Sequence, residues 1–254
     1  MPLVSVYLVW TLKAELPGQS TPARGPAAWF LFAGAAVTAA DFAWGHSALA
    51  AAPEITLALC TLGWLLCLTG LGFWILGGAT MRALAFPFCL LLFMLPLPPG
   101  VRAGIETGLQ HGSATVADWM FTLAGTAFWR NGTLFQLPNI TLEVAPECSG
   151  IHSSWVLLIT SLVAARMVLR QPWRRATLCL AVIPLAFLRN GFRVFVIGEL
   201  CVHISPDMIN SPIHHHGGPI FFALSLIPLF FLLSLLKRGE KAGGARRTGD
   251  NDSV

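Results

Sequence analysis

The chain is poor in charge. Only 11% of its 254 residues are Asp, Glu, Lys or Arg, against about 25% in an ordinary soluble domain. A chain of this length still has much surface to cover when folded, so the deficit excludes a soluble globule. The period-two alternation of membrane barrel strands is missing as well. The apolar runs are continuous and close to the roughly 20 residues a helix needs to cross the hydrocarbon layer. MPLVSVYLVWTL at the start has no basic flank, and no small-residue cleavage site follows closely, which predicts an uncleaved chain inserted through its own helices. There is no Cys-x-x-Cys, no zinc-type Cys/His spacing and no internal repeat. Net charge is +4, but the cations cluster beside apolar runs. That is a topology signal and argues against a nucleic-acid partner.

What is present predicts an all-α polytopic membrane protein of about six to eight transmembrane helices. Candidate spans are 27–45, 55–77, 83–97, 151–169, 176–196 and 219–236. The opening segment 2–12 is too short to span alone, and Pro96, Pro98 and Pro99 end the third span sharply. The chain divides into an N-terminal stub and inner loop (1–26), three transmembrane helices (27–97), an outer region (98–147), a three-helix core (148–236) and a basic tail (237–254). Gly-rich and charged, the tail is expected to be disordered.

Positive charge assigns sides. Lys237, Arg238, Lys241, Arg246 and Arg247 are expected in the cytoplasm, as is the connector with Arg166, Arg170, Arg174 and Arg175. Counting spans back puts Lys13, Arg24 and Arg82 inside and Glu54 outside, with 98–147 wholly outside. Within that outer region, 105–127 has helical spacing broken by Gln110, His111, Ser113, Thr115 and Asp118. It reads either as a surface helix or as a tucked, partly polar one. TLFQLPNITLEV alternates and Asn131-Gly132 is a hairpin-type turn, so 128–147 reads as a small extended cap.

This topology brings three unusual features to the outer side. Cys148, in Pro146-Glu147-Cys148-Ser149-Gly150, precedes an inward-running helix. Helix N-termini favour the thiolate, which is the nucleophile; the competing reading is one more buried cysteine, as for Cys60, Cys67, Cys89, Cys179 and Cys201. Arg193, in Arg189-Asn190-Gly191-Phe192-Arg193, lies late in the next helix. Counted from Arg174 at about 1.5 Å per residue, it falls within a turn of the outer boundary. It can snorkel, form a structural ion pair, or stabilise a thiolate or oxyanion. His214, His215 and His216 precede the last helix. Histidine suits acid–base work near neutral pH, and three in a row also suit an interface or a metal.

Glu147-Cys148-Ser149-Gly150-Ile151, then Asn190-x-x-Arg193, then His214-x-x-x-Gly218 resembles the exosortase/archaeosortase family, with the motifs in order and each on its own late helix. The resemblance covers 147–222 firmly and the earlier helices loosely. It implies a Cys–Arg–His site that cleaves C-terminal sorting signals of exported proteins: a Pro-Glu-Pro-like motif, a transmembrane helix and a basic cytoplasmic end (PEP-CTERM-type signals). Carried over, Cys148 is the nucleophile, Arg193 the family arginine and His214 the family histidine, since Gly218 follows it by four. Asn190, Ser149, Gly150 and Gly218 are supporting residues. His152 stands where the family more often has arginine.

The reading is a membrane cysteine protease/transpeptidase. Cys148 attacks the peptide carbonyl, Arg193 stabilises the developing charge and His214 protonates the leaving amine. The thioester then passes to an amine, an alcohol or water. Asn190 is expected to orient His214. No metal or organic cofactor is required. The partners implied are the sorting signal, membrane lipid and an acceptor nucleophile; the location implied is the inner membrane, with the site on the outer side and the C-terminus in the cytoplasm. The alternative is a metal-binding or transport protein using Cys201, His203 and His214 to His216, with Asp41 and Glu199 as its intramembrane carboxylates. A third reading is a non-catalytic assembly subunit.

Overall fold

The computed structural model describes residues 1–13, 16, 21–45, 53–144, 150–210 and 217–251. It divides into two compact units, Met1–Arg102 and Ala103–Val254. Among the described residues five helices are long and apolar enough to cross a membrane, and six if one broken pair counts as a single span. The architecture is all-α and polytopic, as composition predicts.

The first unit holds α1 (Pro2–Leu12), α2 (Arg24–Gly45), α3 (Pro53–Ala83) and α4 (Ala85–Leu91). Helices α2 and α3 run antiparallel, because Gly34 lies against Cys67 and Gly63 while Gly70 lies against Leu31 and Ala27. A Cβ on Gly34 would come within 2.6 Å of Cys67 Sγ, and one on Gly63 within 2.4 Å of Thr38 Oγ1. Small residues let these backbones approach where no hydrophobic force distinguishes helix from lipid. One buried carboxylate lies at this seam: Asp41 Oδ2 accepts the Cys60 thiol at 3.0 Å. Helix α1 docks through Ser5 Oγ, which donates to Pro87 O at 3.0 Å.

Two boundaries depart from expectation. Helix α3 passes through Gly77 at φ 79°, ψ 168°, a region open essentially only to glycine; the expected span ends at this kink and the chain continues helical to Ala83. The expected span 83–97 is not one helix. It is α4 followed by a 3-10 turn, Leu92–Met94, and Leu95 turns extended ahead of the prolines, as a residue preceding proline must.

The second unit begins within α5 (Pro99–Ala124). Leu109, Ser113, Ala117 and Phe121, four residues apart, form its buried stripe. A three-stranded antiparallel meander follows: β1 (Trp129–Asn131), β2 (Leu134–Gln136) and β3 (Thr141–Glu143). Trp129 pairs with Gln136 and Leu134 with Glu143. The β1–β2 turn is Gly132-Thr133, with Gly132 at φ 62°. Alternation buries Phe135, Leu137, Leu142 and Val144 against Ala114, Ala117 and Phe121 of α5 and Ile197 and Cys201 of α8 (Val182–His203). The polar residues that interrupt α5 hold this sheet: Gln110 Nε2 donates to Val144 O at 3.0 Å, and Asp118 pairs with Arg130 at 3.4 Å.

Helices α6 (Ile151–Val168), α7 (Pro172–Leu180), α8 and α9 (Gly218–Asn251) complete the unit. Leu157, Ala165, Leu178, Val182, Leu229 and Leu233 form their shared core. The α6–α7 turn is tied to α9. Glu240 accepts the backbone N–H of Arg170 at 3.1 Å and of Gln171 at 2.7 Å, and Arg174 Nη1 donates to Leu236 O. The two basic clusters therefore share one end of this unit, opposite Gly150. The tail expected to be disordered is helical to Asn251; Lys, Arg, Ala and Glu are good helix formers and no proline stops them. Helix α8 also outruns its expected end at 196 and reaches His203, held by the sheet and α5.

Candidate active site

Helix α6 starts at Gly150, which caps it with φ 71°, ψ 20°, the left-handed region that favours glycine. No side chain caps this end. The Gly150 carbonyl instead gathers three donors. Ser154 N reaches it at 2.9 Å, Ser154 Oγ at 2.9 Å and Arg189 Nη2 at 3.0 Å. The same Nη2 lies 3.2 Å from Ser154 Oγ, which accepts from it. A Cβ at Gly150 would sit 2.5 Å from Arg189 Nη2 and 3.4 Å from Asn190 Oδ1. Two features make residue 150 glycine, the backbone conformation and the arginine pressed against it.

Helix lengths decide why Arg189 is the residue opposite. Helix α6 and the α7–α8 segment run antiparallel from the turn at Leu169–Gln171, so 18 residues down α6 return to about the level of 189. The sequence count, started at Arg174 and closed near 196, instead places Arg193 at the boundary. Arg193 lies one turn beyond Arg189 on the same helix and is half-buried. Arg189 is the residue that sequence reasoning passed over; its signal is the pair of arginines four apart inside an apolar helix.

Asn190 is 2% exposed and ties α8 to α5, with Nδ2 donating to Ser113 Oγ at 3.1 Å. Its expected role toward His214 falls on a residue outside the described set; the partner found for its amide is Ser113. Glycines make the α5–α8 approach possible: a Cβ on Gly191 would meet Val116 at 2.7 Å, and one on Gly198 would meet Phe121 at 2.5 Å. Beside Arg189, an apolar cavity of about 290 Å³ runs between α8 and α9, lined by Leu185, Phe192, Phe221 and Leu224.

Gly150, Asn190, Arg193 and Gly218 are thus placed. Gly218 begins α9, and no atom of the described residues lies within 4 Å of where its Cβ would stand. Glu147, Cys148, Ser149 and His214 to His216 lie outside the described residues. His152 is exposed in the first turn of α6. His203 lies 14 positions beyond Arg189 in sequence, about 20 Å along α8, and pairs with Glu199 at 3.0 Å; it does not belong to this site. Glu199 also accepts from Thr126 Oγ1. Cys201 is buried in the core under the sheet, so the Cys201–His203 half of the metal alternative is not assembled. Among the described residues no three His, Cys, Asp or Glu side chains converge for a metal.

The electrostatics are one-sided. The α6 N-terminus carries partial positive charge, Arg189 adds a full one, and no carboxylate pairs with Arg189 among the described residues. Such a place favours an anion, and the residues upstream of Gly150 are Glu147-Cys148-Ser149.

Comparison with known families gives one result: the model of the family described as transmembrane exosortase (Exosortase_EpsH) matches residues 1–231. No curated protein and no solved structure matches the chain.

Proposed function

Because the chain belongs to the transmembrane exosortase family, we propose that it is a membrane cysteine transpeptidase acting on C-terminal sorting signals of exported proteins. Cys148, as thiolate, attacks the carbonyl of the scissile peptide bond. Arg193 stabilises the oxyanion, and His214 gives the leaving amine its proton as the C–N bond breaks. The enzyme is left as a thioester, which an amine, an alcohol or water then resolves. The substrate carries a Pro-Glu-Pro-like motif, an apolar helix and a basic end. The protein sits in the inner membrane, with the reaction on the outer side and the basic ends in the cytoplasm. The grouping of the 170–175 and 237–240 clusters at one end of the second unit supports that orientation.

One observation carries the reading: Gly150 of the first motif lies against Arg189 and Asn190 of the second. Cys148 is two residues from Gly150 in sequence, a chain reach of at most about 7 Å, and that short separation supports a nucleophile working beside the second motif. The cation and the helix terminus both favour thiolate. Replacing Cys148 by Ala and measuring the mature C-terminus of a co-expressed reporter bearing such a signal tests it. Full-length, unprocessed reporter with normally inserted enzyme is expected. Wild-type maturation would remove the nucleophile assignment.

A further inference from the structure

The Gly150 carbonyl does not need Arg189. A carbonyl oxygen has two lone pairs, and Ser154 already supplies two donors, its N–H and its hydroxyl, both at 2.9 Å. Arg189 arrives as a third, at 3.0 Å. Its burial carries a penalty: the residue is only 7% exposed, it stands in an apolar span, and its Nη1 is buried without a hydrogen-bond partner among the described residues. A neutral amide would bond a carbonyl at less desolvation cost than a guanidinium. Gly150 in turn has given up its side chain to admit Nη2. A buried charge, a redundant bond and a glycine cleared to make room point to a role that satisfying one carbonyl does not explain.

We propose that Arg189 is a positioning residue, whose guanidinium clamps the first turn of α6 at Gly150 and Ser154 and so sets the place and the electrostatic surroundings of the nucleophile two residues upstream. The proposal rests on Cys148 being that nucleophile. Arg189 acts through the first turn of α6 and does not itself touch the substrate. The clamp has two parts. The paired contacts to Gly150 O and Ser154 Oγ fix where α6 begins, and the fixed cation adds to the positive end of the helix and favours the thiolate. Both contacts come from one nitrogen, Nη2; lysine keeps the charge but carries it on a mobile ammonium that does not hold that nitrogen's place, and glutamine keeps a donor but no charge. The two substitutions separate the parts.

The test is alkylation of Cys148 by iodoacetamide in the detergent-solubilised full chain at neutral pH, read by mass spectrometry of the Cys148 peptide. Cys201 serves as an internal gauge of folding, since it is buried under the sheet. Arg189→Gln is expected to slow Cys148 alkylation about tenfold, the effect of raising a thiol's titration by about one unit, while Cys201 stays protected. Arg189→Lys is expected to recover much of the alkylation rate but not reporter processing, because charge is restored and geometry is not. Ser154→Ala, which strands no charge, is expected to lower processing with a near-normal alkylation rate. Wild-type alkylation and processing in Arg189→Gln would overturn the proposal. So would exposure of Cys201 in both Arg189 variants, which would make the arginine a structural brace. Normal processing by Cys148→Ala would remove the nucleophile assignment and this proposal with it, whereas blocked processing in Cys148→Ala beside wild-type behaviour of Arg189→Gln would overturn this proposal alone.

Discussion

The two units solve the same packing problem and use the solution differently. In the first, α2 and α3 close on Gly34, Gly63 and Gly70; in the second, α5 and α8 close on Gly112, Gly191 and Gly198. Each glycine lets a backbone or a ring come nearer than a Cβ would allow. The α2–α3 seam is then filled by Leu31, Thr38 and Cys67, with one carboxylate–thiol contact beyond them. At the α5–α8 seam the closeness brings buried amide to buried hydroxyl, Asn190 to Ser113, next to the arginine that holds Gly150. Small residues at a helix contact therefore say that helices approach, not what the approach is for. The polar residues beside them carry that information.

If the second seam is the functional one, Gly150→Ala has the largest effect. The new methyl group meets Arg189 Nη2 at 2.5 Å and the backbone is held at φ 71°, so the first turn of α6 must move. Misplacement by about 1 Å can lower turnover about 100-fold. Reporter processing should fall by that order, with inserted protein still present. Processing within a few fold of wild type would mean that the first turn of α6 adapts and the comparison is too sharply drawn.

The matching change in the first unit is Gly63→Val, which brings a Cβ to within 2.4 Å of Thr38 Oγ1. Overpacking of this kind typically removes about 1–3 kcal/mol of stability. A lower midpoint of thermal unfolding in detergent is expected, with processing per folded molecule unchanged. Loss of turnover in the protein that remains folded would give the first seam a part in catalysis.

The smallest effect is expected at Asp41→Asn. Asparagine keeps an acceptor for the Cys60 thiol, now 3.0 Å from the carboxylate, so stability should change by less than about 1 kcal/mol and processing should not change. A proton- or ion-relay function would require the carboxylate, and a marked loss of activity in this variant would revive the transport alternative.

Much of this was legible in the sequence, for physical reasons that also mark where legibility stops. Continuous apolar runs announced the long helices, and alternation with Asn131-Gly132 announced the extended cap. The polar residues of α5 left two readings open, because sequence does not show that Gln110 and Asp118 have partners in Val144 and Arg130. The span 83–97 was short already, and it is divided into α4 and a 3-10 turn before the prolines that end it. The count from Arg174 put Arg193 near the end of the apolar run, while α8 is carried on to His203 by the sheet packed on it. Arg189, one turn inside Arg193, is the arginine level with Gly150. Tertiary cover had extended a helix that hydropathy alone would have stopped.

The contact of Glu240 with the α6–α7 turn has a practical consequence for anyone altering the C-terminus. Hydropathy ends the last span at Leu236, an inviting place to truncate the chain or fuse a reporter. A cut there would remove the carboxylate that receives the N–H groups of Arg170 and Gln171, and would disturb the carbonyl that receives Arg174. The damage would spread along α6 toward Gly150 and could be mistaken for loss of a catalytic group. Topology reporters and affinity tags belong after Glu240, where the sidedness of the tail can be measured without loosening the helix that carries the site.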